Sequence, residues 1–178
     1  MITSTGGRGT SAPHMTPMDA ARTLIAVMVA EQPGTKAAAI VKAVGSMLCL
    51  DNGVSDGPFD LGKLRGLRLP FTLEQAVAAL IEVFAFERHR AEFQAQIWRS
   101  AGDVVFLPDV HLEIIGQESA ELHMGRIEDG ARYYFAAPLQ SIAEARKADP
   151  RTVASLRRTT SASAPVIDHI AAGFRADE

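Results

Sequence analysis

The apolar spacing of this chain switches from helical to strand period after Gly102, and that switch limits the fold more than any short motif does. Before it, outside the 50–70 stretch, the large apolar side chains recur at helical intervals. From Val104 to Ala137 they alternate. A helix-period stretch does not settle as a strand, nor the reverse. Helices followed by a run of strands point to an α+β domain with an antiparallel sheet, and away from alternating βαβ units.

The clearest helix begins at Leu73. Thr72-Leu73-Glu74-Gln75 is a capping box, in which the Thr72 hydroxyl and the Gln75 side chain each satisfy a backbone N–H left open at a helix start. Apolar residues follow at Leu73, Val77, Leu80, Ile81 and Phe84, then at Phe86, Phe93 and Ile97. This spacing predicts one long helix to about Arg99, apolar at its start and polar over Glu87 to Gln96. An earlier helix starts at Thr16, with Pro17 at the first helical position and Asp19 against the positive end of the dipole. Pro33-Gly34 ends it. Thr35 caps a second helix running to about Leu48, in which Gly45 is the weak point.

Leu50 to Pro70 reads as a long packed loop. Asp51-Asn52-Gly53 and Asp56-Gly57-Pro58 are turn signals, and Leu61, Leu64, Leu67 and Leu69 anchor it. Strands are expected at Val104–Leu107, Val110–Ile115, Ser119–Ile127 and Arg132–Ala137, with Glu128-Asp129-Gly130 as a hairpin turn. Short helices follow over Leu139–Ala148, Arg151–Arg158 and Pro165–Phe174, and Thr159–Ala164 reads as a linker. The expected architecture is a helical pair and one long helix on a small antiparallel sheet of three to four strands, closed by short C-terminal helices. Residues 1–16 read as a flexible arm or a tag-derived leader, 17–148 as the core domain and 149–178 as a helical tail.

Composition narrows the function classes. A hydrophobic fraction of 47% over 178 residues supplies enough apolar surface for a core. A formal net charge of −3 argues against non-specific coating of nucleic acid. A single cysteine, Cys49, excludes an internal disulfide framework and a multi-cysteine zinc site. No apolar run approaches the roughly 20 residues of a membrane span, and the leader lacks the apolar core of a secretory signal. A cytoplasmic or virion location is expected.

No set of residues is assigned as catalytic, cofactor-binding or metal-ligating. There is no Gly-x-Ser-x-Gly elbow and no His-Glu-x-x-His motif among the five histidines. Cys49, at the end of the second helix, reads as a buried structural thiol. His111 and His123 lie on candidate strands that pair if the sheet forms as expected, and Glu113 or Glu121 would complete a metal site there. The alternative is two solvent-facing strand histidines. Glu113, Glu118, Glu121, Glu128 and Asp129 read as an acidic face or rim. Lys63, Arg65 and Arg68, interleaved with Gly62 and Gly66, form a candidate anion-binding loop.

The helical pair joined by Ala30-Glu31-Gln32-Pro33-Gly34-Thr35 resembles the opening helices of a winged-helix or helix-turn-helix regulator, over about 35 residues. That resemblance implies DNA binding through the second helix. The helix departs from the pattern by offering only Lys36 and Lys42 for phosphates and few polar side chains for base edges.

The remaining reading is an interaction module. Arg88, Phe93, Trp98 and Arg99, on the polar half of the long helix, include residue types enriched in interface hot spots. The expectation is a non-enzymatic subunit or adaptor of a larger homo- or hetero-oligomeric assembly, a class that includes virus and phage particle components. A DNA-binding regulator is the alternative, and a small enzyme or ligand-binding domain the second alternative.

Overall fold

The computed structural model describes residues 15–29, 35–54, 66–85, 110–124, 131–138 and 159–175. Their elements run α1 (Pro17–Val29), α2 (Thr35–Gly45), β1 (Leu48–Val54), β2 (Phe71–Thr72), α3 (Leu73–Ala85), β3 (Val110–Ile115), β4 (Ser119–Met124), β5 (Ala131–Ala136), β6 (Thr159–Ser163) and α4 (Ala164–Arg175).

The helix starts inferred at Thr16 and Thr72 form as capping structures. The Asp19 N–H donates to Thr16 Oγ1 at 3.2 Å, while the Thr16 N–H and hydroxyl donate to Asp19 Oδ2 at 3.2 and 2.7 Å. These hydrogen bonds, the hydroxyl's foremost, hold the Asp19 carboxyl below its ordinary pKa. At α3 the Thr72 N–H donates to Gln75 Oε1 at 2.8 Å and the Gln75 N–H donates to Thr72 Oγ1 at 3.3 Å. The described part of α3 ends at Ala85; the extension to Arg99 lies outside the described residues, as do Val104–Leu107, Glu128-Asp129-Gly130, Leu139–Ala148 and Arg151–Arg158.

The sheet is larger than expected. It has six strands, all antiparallel to their neighbours, in the order β2-β1-β5-β4-β3-β6. β3, β4 and β5 correspond to expected strands. β1 corrects the reading of 50–70 as loop throughout, β6 corrects that of Thr159–Ala164 as linker, and β2 is a further strand just before the Leu73 helix. The second helix also stops at Gly45, and Leu48 and Cys49 already belong to β1. Asp51, Asn52 and Gly53, read as a turn, pair with Tyr134, Tyr133 and Arg132 of β5. A strand glycine costs about 0.5–1 kcal/mol. Burying one large apolar side chain gains roughly 1.5–3 kcal/mol, so pairing that carries Cys49 and Phe71 into the core outweighs local turn preference.

One core joins the described layers. Leu24 and Ile25 of α1, Val77, Leu80, Ile81 and Phe84 of α3, and Ile167 and Ala171 of α4 are buried with Leu112, Leu122, Tyr133 and Phe135 of the sheet. Phe71 packs its ring 5.9 Å from Tyr133 and 6.0 Å from Phe135, tilted or edge-on as aromatic quadrupoles prefer. The segment read as a tail thus supplies an edge strand and a core helix. Outside the core, Arg22 of α1 grips Glu74 of α3 through Nε–Oε2 at 2.9 Å and Nη2–Oε1 at 3.4 Å. That hydrogen bond, and then the carboxylate's charge, raises the Arg22 pKa further.

Candidate functional site

The face of the sheet turned away from the core carries ionisable side chains in rows. Strand parity creates it. Val110, Leu112 and Ile114 of β3 and Ala120, Leu122 and Met124 of β4 are buried, so their neighbours His111, Glu113, Ser119, Glu121 and His123 point to the other side. The β3–β4 connection turns at Gly116, whose φ of 59° is left-handed and suits glycine. The register it closes places His111 opposite His123 and Glu113 opposite Glu121. A slip of one residue would carry the histidines into the core and expose Leu112 and Leu122, so apolar burial holds this register.

The rows continue across neighbouring strands. Ser163 of β6 pairs with His111, and Arg132 of β5 pairs with His123. One rung along, Ser161 pairs with Glu113 and Tyr134 with Glu121. Tyr134 is 48% exposed, unlike its neighbours Tyr133 and Phe135, which are buried. His111 is exposed and His123 half-buried. His123 Nε2 is closed off from solvent and has no hydrogen-bond partner. Among the described residues no three His, Cys, Asp or Glu side chains stand grouped to hold a metal ion.

The structure therefore brings together the two histidines and two glutamates singled out from the sequence. It adds Arg132 and Tyr134, which the sequence reading left as ordinary strand residues. The signal was present, since alternation around buried Tyr133 and Phe135 assigns both to the outer face. Once β1 and β2 are strands, Cys49 is buried on β1, beside the edge strand β2, and not at a helix end. Arg68 is exposed, while Lys63 and Arg65 lie outside the described residues, as do Arg88, Phe93, Trp98 and Arg99. The described exposed face of α2 is Ala38, Ala39, Lys42 and Ala43, and α2 leads within three residues into β1. That face offers one cation to a phosphate backbone and nothing to base edges.

Among the described residues no helix is long and apolar enough to cross a membrane. No family model matches the chain, and no curated protein or solved structure matches it.

Proposed function

We propose that this chain is a non-enzymatic subunit or adaptor of a larger protein assembly, a class that includes virus and phage particle components, and that it acts through protein–protein contacts. Tyr134 supports the reading. It is a large aromatic residue held half-exposed in the interior of a six-stranded sheet, on β5 between β1 and β4. Its rigid strand limits the entropy lost on docking, and Arg132 and Glu121 at adjoining positions supply a charged rim. An aromatic anchor inside a polar rim is the usual make-up of an interface hot spot. The reading extends to Arg88, Phe93, Trp98 and Arg99 as a second set of contacts.

Light scattering on the full chain eluting from a size-exclusion column tests it. The wild type should run above monomer mass, and Tyr134→Glu should move it towards the monomer with an unchanged circular dichroism spectrum. A wild-type chain that stays monomeric across the accessible concentration range overturns the reading.

A further inference from the structure

We infer that His111 and His123 form a two-histidine site for a divalent transition-metal ion of the zinc, nickel or copper type, completed by the Glu113 or Glu121 carboxylate. The site rests on strand register and on one orphaned ring nitrogen, and stands whether or not the chain assembles.

The register is the first argument. His111 and His123 are direct cross-strand partners, both on the outer face. Directly opposed residues have Cβ atoms about 4.5–5.5 Å apart. An ion bound at roughly 2.0–2.1 Å to each imidazole brings the two ligating nitrogens to within about 3.3 Å of each other, a separation two opposed rings can reach. Imidazole suits zinc, nickel and copper, and does not suit the hard magnesium or calcium ions.

The second argument is His123 itself. A ring nitrogen shut away from water and left without a partner has lost its hydration with nothing in return. A metal bond is one of the few interactions that would satisfy it. The third is the next rung. Glu113 and Glu121 face each other, and like charges directly opposed on a sheet destabilise it. A cation beside them removes that cost. Arg132, opposite His123 on β5, is the one described cation in these two rows. Two carboxylates against one guanidinium leave the patch net negative. The carboxylates are not grouped with the histidines as they stand. They start one rung, roughly 6.5–7 Å, along the strands and close on the ion by side-chain rotation.

Calorimetric titration of the full chain with Zn2+ alone, with Co2+ absorption as the optical reading, tests the site. The expected result is one ion per chain and a ligand-field band of four-coordinate Co2+. His111→Ala, at an exposed position, and His123→Ala should each weaken binding by at least about tenfold, the low end of what outer-shell changes alone produce. The Glu113→Gln/Glu121→Gln double variant should weaken it less. His169→Ala, on the exposed side of α4, should leave it unchanged. If His123→Ala does not fold, His111→Ala carries the test. A wild-type chain that takes up no Zn2+, or one whose binding survives His111→Ala undiminished, overturns the inference.

Discussion

Asp19 and Thr16 close the start of α1 on each other, and the chemistry of that contact sets a pH dependence. The Thr16 hydroxyl and backbone N–H both donate to the carboxylate and hold its pKa below the usual carboxylate value. The folded chain therefore keeps Asp19 charged at acidities where the unfolded chain has begun to bind a proton. The stabilisation is complete above the unfolded pKa, about 3.9 for an aspartate, and is lost as pH falls through the lower folded value. Asp19→Asn should remove this component, and Thr16→Val its larger part, because the backbone N–H of residue 16 still donates to the carboxylate. Measured by urea unfolding, each variant should lose stability less steeply than wild type on acidification below roughly pH 4. Equal slopes in all three chains would show that the contact contributes nothing. Thr16 as the cap was legible in the sequence, because a cap acts within one helical turn, whereas Asp19 was read there only against the helix dipole and its closure onto Thr16 is a finding of the structure.

Gly45, at the last position of α2, shows how elements constrain one another. A Cβ there would stand 3.3 Å from Glu74 Oε2, and Arg22 holds that same carboxylate from the other side. An alanine improves helix propensity, by less at this last position than in a helix interior, where the gain is about 0.8–1 kcal/mol, but must displace Glu74 by a few tenths of an ångström. Gly45→Ala should thus stabilise less in the wild type than in an Arg22→Ala background, where Glu74 is free to move. The exposed ion pair itself contributes roughly 0.2–1 kcal/mol, so the difference is of that order. A thermal-melt double-mutant cycle reads it, and strict additivity would refute the coupling. The same dependence on partners explains which strands could be read. Val110–Ile115 alternates over six residues and announces itself. Thr159–Ser163 has one buried residue, Ala162, and only its pairing with β3 makes it a strand. Leu48–Val54 carries Asp51-Asn52-Gly53, strong local turn formers that lose to pairing with β5.

At the scale of the whole molecule, α4 and β6 test whether the C-terminal stretch is an appendage. Ile167 is fully buried in the same cluster as Leu80 and Leu112. Ile167→Ala should cost about 2–5 kcal/mol and lower the melting temperature of the whole chain in one cooperative transition. A separate, early transition confined to the C-terminal helix would instead mark it as an independent unit. The outer face is also a property of the whole. Residues 111, 113, 121, 123, 132 and 134 lie on three strands, and their outward parity is visible in the sequence wherever buried residues alternate. Their neighbours are not visible there, because a strand's partners are chosen by the summed burial of every strand and helix on the other face. The amino-acid sequence alone determined what depends on contacts a few residues apart, namely the Thr16 cap, the Thr72–Gln75 capping box, the period of β3 to β5 and the amphipathic face of α3. Only the tertiary structure decided that β1, β2 and β6 exist, and that His111 meets His123 and Glu113 meets Glu121. Those pairings draw their free energy from apolar surface buried between distant segments, and no local preference encodes that quantity.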